Sequence, residues 1–139
     1  MRRNVSGLSP WEAVVGYSRA VRVGNHISVA GTTATVNGEA VHPSDPAGQT
    51  RVILGIIEGA LREAGASLSD VVRTRIYVTD ISQWQAIGQV HGEVLNRTAP
   101  TGPVRVFGAI RPACSMVQVA ALIDPAHLLE IEADAILEV

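Results

Sequence analysis

RPACSMVQVAALIDPAHLLEIEADAILEV, residues 111–139, decides the fold. It divides into two strand-like runs joined by a short turn around Pro125. In the second run Leu129, Ile131, Ala133, Ala135 and Leu137 fall on one side. Glu130, Glu132, Asp134 and Glu138 fall on the other, because successive side chains of a strand point to opposite faces. One face is built to pack on a core and the other carries a row of carboxylates, where any chemistry is expected. The first run, residues 115–122, differs. Val117, Val119 and Ala121 lie on one side and Met116, Ala120 and Leu122 on the other, the pattern of a strand buried on both faces.

Working outward, residues 71–78 alternate again. Val72, Thr74, Ile76 and Val78 share one face, and Arg73, Arg75 and Tyr77 the other. Asp80 or Ser82 then caps a helix with the stripe Trp84, Ile87, Val90 or His91, and Val94. Gly88 lies inside that helix at a cost of about 1 kcal/mol relative to Ala, which suggests a crowded surface. The loop TAPTGP follows at 98–103, then a short strand at 104–107. Upstream, Asp45-Pro46 is a helix start: a capping acceptor followed by Pro at the first helical position. Val52, Ile53, Ile56, Ile57, Ala60, Leu61 and Ala64 form its stripe, and Gly65 ends it. Residues 33–45 read as a loop. Strands at 17–23 and 26–32 flank the turn signal Gly24-Asn25 and read as a hairpin. Residues 1–15 carry no strong pattern and read as a flexible N-terminal arm.

The order β-β-α-β-α-β-β-β gives an α+β domain spanning residues 1–139, with two helices covering one face of a mixed six-stranded sheet. The doubly apolar strand at 115–122 still needs a cover on the second face, and the chain supplies none. A partner subunit is the simplest cover.

The totals agree with one domain able to bury a core. Of 139 residues, 47% are hydrophobic and only 4% aromatic, so the core is aliphatic. The net charge is −2 and the pI about 6.0, unlike the basic surface that nucleic-acid binding requires. The chain has no lysine, which excludes a Schiff-base or P-loop lysine. Cys114 is the one cysteine, so neither an internal disulfide nor a multi-cysteine zinc site can form. The histidines, at 26, 42, 91 and 127, lack ligand spacing, and no metal site is expected. No apolar run approaches membrane-spanning length, and the N-terminus lacks the apolar region of a secretory signal. A cytoplasmic protein is the expectation.

Six blocks in register resemble the Rid family of reactive-intermediate deaminases, also called YjgF and formerly endoribonuclease L-PSP. They are GYSRA at 16–20, VAGTT at 29–33, AG at 64–65, VVRTRIYVTD at 71–80, RPACSMVQVA at 111–120 and LLEIEADA at 128–135. The resemblance implies a chorismate-mutase-like fold and a homotrimer whose sheets form a central barrel, with ligand clefts between subunits. It implies hydrolysis of enamines and imines of the 2-aminoacrylate type to a ketoacid and ammonia, without cofactor. On that resemblance Glu130 matches the glutamate that orients or activates water, and Tyr17 matches a tyrosine lining the pocket. Three positions depart from the pattern. The arginine that grips the substrate carboxylate follows a Pro-Ala pair, and here Pro112-Ala113 is followed by Cys114. Ala30 stands before Gly31 where a serine is usual, and Gly88 replaces a polar residue.

Each candidate also has a plainer role. Glu130 is either the catalytic carboxylate or the partner of Arg73 or Arg75. Glu132 and Asp134 are expected to pair with those arginines or face solvent. Cys114, a candidate substrate-binding residue, is either a nucleophile activated by nearby Arg111 or a small buried hydrophobe. Arg105 and Arg111 are candidates to replace the missing cation, against solvated or ion-paired side chains; a thiol cannot imitate a planar five-donor fork. Tyr17, Ala30 and Gly31 complete the expected small-molecule site. Three functions follow: a hydrolase or deaminase of altered specificity using Glu130, a non-catalytic trimer that holds a metabolite, and a ribonuclease, which the acidic pI disfavours.

Overall fold

The computed structural model describes residues 1–96 and 110–138. The strands are β1 (Arg2–Val5), β2 (Ala20–Val23), β3 (His26–Thr32), β4 (Thr35–Val36), β5 (Glu39–Ala40), β6 (Val71–Val78), β7 (Ala113–Gln118) and β8 (Leu129–Ile136). The helices are α1 (Pro46–Glu63) and α2 (Trp84–Leu95). One six-stranded sheet has the order β1-β2-β3-β8-β6-β7, and β4 pairs with β5 alone. All ladders of the large sheet are antiparallel except β6 with β7, so the sheet is mixed.

Among the described residues the sheet has six strands, the number expected, but not the expected six. Residues 2–5 are no free arm: β1 pairs with β2, and Val5 is 4% exposed. The expected strand at 104–107 lies outside the described residues. The expected loop at 33–45 contains the short β4–β5 hairpin, turned by Asn37 and Gly38, both at positive φ.

The final strand carries the core. Leu129, Ile131, Ala133 and Ala135 are buried beside Ile27 and Val29 of β3 and Ile76 and Val78 of β6. Helix α1 packs on this face with Ile53, Leu54, Ile57 and Leu61. Its start is capped as the sequence predicts: the Asp45 carboxylate accepts from the Gly48 amide at 2.9 Å. Its far end is closed by Gly65 at φ +89° and by Arg22, whose guanidinium donates to the Ala64 carbonyl at 2.7 Å. Asp80 accepts from the Ser82 amide to open a 3-10 turn, Ile81–Gln83, that leads into α2.

Three details of the sequence pattern shift. An irregularity in the β6–β8 ladder lies between Val71 and Arg73, so Val71 is buried and Val72 is 43% exposed. An extra residue in one strand reverses the alternation on its far side. Among the described residues the surroundings of Gly88 are not crowded: a Cβ there would meet the Trp84 ring at 4.0 Å and nothing nearer. β7 begins earlier than expected and lies at the sheet edge, with Val117 47% exposed, so within one chain it is not buried on both faces.

Candidate functional site

Register across the sheet sorts the polar side chains. Tyr77, Arg75 and Arg73 of β6 stand opposite Glu130, Glu132 and Asp134 of β8. Ser28 of β3 stands opposite Asp134 on the other side. All belong to the face turned away from the helices. Arg75 bridges Glu132 at 3.5 Å and Asp134 at 3.2 Å, the Tyr77 hydroxyl donates to Glu132 at 2.8 Å, and Ser28 donates to Asp134 at 3.1 Å. Glu132 and Asp134 are thus the ion-paired carboxylates that the sequence suggested. Tyr77 holds its proton more tightly than usual, chiefly because of its bond to Glu132.

Glu130 is treated differently. Among the described residues it makes no ion pair. Its carboxyl lies over the backbone of Gly31: a Cβ on Gly31 would fall 2.5 Å from Oε2 and 2.8 Å from Cδ. The glycine is therefore a requirement of close approach. Burial pushes the Glu130 carboxyl above its ordinary value, and the neighbouring Glu132 adds to this, while Arg19 and His127 oppose it. A carboxylate raised by desolvation can hold and release a proton nearer neutral pH.

The strand that carries Glu130 is fixed at its start by a buried polar anchor that sequence reasoning missed. Gln49 of α1 is 0% exposed. Its amide donates to the carbonyls of Val41 and Ala126 at 3.2 and 2.8 Å and accepts from the Leu128 amide at 2.8 Å. The Leu128 carbonyl in turn accepts from the amide of Thr79 at 3.0 Å and its hydroxyl at 3.2 Å. Between these anchors His127 is buried, its Nε2 3.1 Å from the Thr35 hydroxyl.

Beside Glu130 a cleft of about 450 Å³ opens on the same sheet face. Tyr17, Ser18, Ser28, Ala30, Arg75, Glu132 and Asp134 line it. Tyr17 and Ala30 therefore stand in the cleft, while Gly31 and Glu130 lie just past its wall. Arg19, also missed, sits behind them. Its Nη2 donates to the Gly31 carbonyl at 2.7 Å, and its buried Nε has no acceptor among the described residues.

The other candidates are elsewhere. Cys114 is exposed, not buried as the plainer expectation held. It stands opposite Thr74, whose hydroxyl faces His91 of α2 at 2.9 Å, so its register is that of the helix side of the sheet. Burial lowers the His91 pKa. The Cys114 Sγ lies 3.9 Å from the Ser115 carbonyl. Arg111 is exposed at φ +39°, its amide bonded to the Leu95 carbonyl at the end of α2. Arg105 lies outside the described residues. Among the described residues no group of three His, Cys, Asp or Glu side chains is placed to hold a metal ion. No described helix is long and apolar enough to cross a membrane.

Residues 8–137 match the family model described as endoribonuclease L-PSP. A Streptomyces coelicolor protein is 32% identical over 133 residues, covering 96% of this chain and 90% of the relative. The 3-aminoacrylate deaminase RutC of Acinetobacter baylyi is 35% identical over 107 residues, 76% of this chain and 84% of that protein. A crystal structure from Mycobacterium tuberculosis, a member of the YjgF/YER057c/UK114 family, superposes with a TM-score of 0.82 at 50% identity, covering 99% of this chain and 100% of that one.

Proposed function

The chain belongs to the endoribonuclease L-PSP family, also known as Rid or YjgF, and on that premise we propose that it is a cofactor-independent hydrolase of small imines or enamines. The observation that carries this reading is Glu130: a partly buried carboxyl with raised proton affinity, unpaired among the described residues and beside an open cleft. An enamine first takes a proton from solvent at carbon and becomes an iminium. The Glu130 carboxylate takes a proton from water as oxygen bonds to the iminium carbon, and returns it to the nitrogen of the resulting carbinolamine. As the C–N bond breaks, the hydroxyl proton passes to Glu130 and from there to solvent, leaving a carbonyl compound and ammonia. The deaminase named among the relatives supports 3-aminoacrylate and its 2-amino isomer as first substrates.

The working form is a cytoplasmic homotrimer with its clefts between subunits. The uncovered sheet face and the exposed edge strand β7 support this, since both leave surface for a second copy. Tyr17, Ala30 and Gly31 shape the cleft. Cys114, Arg111 and Arg105 complete it from a neighbouring subunit, because Cys114 and Glu130 belong to opposite faces of one chain. Cys114 also favours a second reading, a metabolite-binding trimer without turnover, because a thiol offers a substrate carboxylate no fork of donors.

Ammonia release from 2- and 3-aminoacrylate, with wild type, E130Q and C114R side by side, tests the proposal. The expected result is turnover by wild type, a loss of at least about a hundredfold in E130Q, and a gain of about tenfold in kcat/KM for C114R from the restored cation. Silence of wild type together with saturable binding of a carboxylate ligand supports the second reading and overturns the first. Sedimentation of a monomer overturns the intersubunit cleft.

A further inference from the structure

We propose that Arg19 is the positioning residue of Glu130: it fixes the Gly31 backbone on which the carboxyl rests and brings its positive charge to the same glycine. This deepens the hydrolase reading and rests on it for its functional meaning, but its geometry stands apart.

The backbone of Arg19 is held on both sides. Its amide donates to the Val5 carbonyl at 2.9 Å, and its carbonyl accepts from Ala30 at 3.0 Å. The side chain runs past Gly7, where a Cβ would lie 3.4 Å from both Cβ and Cδ of Arg19 and 2.6 Å from Oε2 of Glu12. Glu12 is itself fastened, accepting the Gly7 amide on both oxygens at 3.0 and 3.1 Å. The stem of Arg19 is therefore walled in by the segment that precedes β2. At its end Nη2 grips the Gly31 carbonyl, and the Cα of the same glycine underlies the Glu130 carboxyl. One residue thus receives the arginine on its carbonyl and the glutamate on its Cα.

The charges agree with this placement. Arg19 feels Tyr17, Glu12 and Glu130 as favourable charges against the burial that lowers its own proton affinity. Glu130 feels Arg19 and His127 as the charges opposing burial and Glu132. The other charged groups near Glu130 are spoken for: Arg75 is paired with Glu132 and Asp134, and Tyr77 donates to Glu132. His127 is the remaining neighbour, and its ring is turned to Thr35. Arg19 is always charged, and among the described residues its buried Nε has no acceptor. A buried guanidinium with one donor unused is costly unless nearby negative charge compensates it, and Glu12 and Glu130 are the carboxylates whose charges act on it.

The experiment follows proton binding rather than turnover. In the full-length protein the Glu130 carboxyl is titrated by carbon-13 NMR while the Arg19 Nε–H resonance is followed by nitrogen-15. The expected result is that the Arg19 Nε signal shifts with the Glu130 midpoint, that E130Q abolishes this step, and that R19Q raises the midpoint by about one pH unit or more. R19K, which keeps a charge without the fork, restores part of that shift. An Arg19 signal flat through the Glu130 titration overturns the proposal, and this is read in wild type, whether or not R19Q folds. An unchanged Glu130 midpoint in folded R19Q overturns it as well. If ammonia release fails while the coupling is found, the hydrolase reading falls and the Arg19–Glu130 unit stands.

Discussion

Ile131 and Glu130 are consecutive residues of β8, and they sit in opposite environments. Ile131 is 0% exposed on the face that α1 covers. Glu130 is partly exposed on the face that nothing in the described chain covers. On the covered face, neighbours are apolar and interchangeable within limits of volume. On the open face the three carboxyls of the acidic row have specific neighbours: Arg75 for Glu132 and Asp134, Tyr77 for Glu132, and the Gly31 backbone for Glu130. The first face makes the chain fold. The second spends part of that stability on a carboxyl held with its proton affinity raised.

The largest expected effect tests that division directly. I131A should cost about 2–5 kcal/mol, as removal of a fully buried aliphatic side chain does, and leave the protein at the margin of stability. E130Q, one residue away, should change stability by less than about 1 kcal/mol while abolishing ammonia release. Urea unfolding of both, with the slope checked for constancy, gives the comparison. Equal losses of stability would mean that Glu130 is a structural residue and that the two faces are not distinct.

A smaller effect is expected at Gly31, where the two roles meet. An added Cβ would fall 2.5 Å from Glu130 Oε2. That atom is the end of a flexible side chain, so the carboxyl can swing away and the fold survives. G31A should therefore cost only about 1 kcal/mol in stability. Hydrolysis should fall about a hundredfold, because a displacement of about 1 Å in a catalytic group is enough. Retained turnover in G31A would show that the resting place of the carboxyl is not its working position.

How far the sequence disclosed each face follows from the range of its signals. Alternation within β8 and β6 and the Asp45-Pro46 helix start are local, and the structure repeats them. β1 was not legible: RRNV has one buried residue, and its place is set by the backbone of β2. The exposure of Val72 follows from the irregularity in register, which composition does not encode. Glu130 was legible because the acidic row and the family pattern coincide on it. Arg19 was not singled out, although a signal existed. Counting by twos from Tyr17 through Arg19 to Val21 puts an arginine on the side of the chain opposite buried Ala20. Gln49 looked like a polar residue on a helix, and only the tertiary structure shows that it is the buried anchor for the start of β8.

The smallest expected effect separates the faces by pH. His91, on the covered side, has its pKa lowered by burial. The unfolded chain therefore takes up its proton first: the stability tied to neutral His91 is present above the ordinary histidine value of about 6.5 and is lost as pH falls through the lowered folded value. Glu130, on the open side, has its pKa raised by burial. There the unfolded chain gives up its proton first, so stability is unaffected below the ordinary glutamate value of about 4.3 and is lost as pH rises through the raised folded value. Melting temperatures across this range should show E130Q gaining on wild type as pH rises, and H91Q gaining on wild type as pH falls below about 6.5. A gain for E130Q that is the same at every pH would mean that the carboxyl is not desolvated in the folded state, and the contrast between the two faces of β8 would reduce to shape alone.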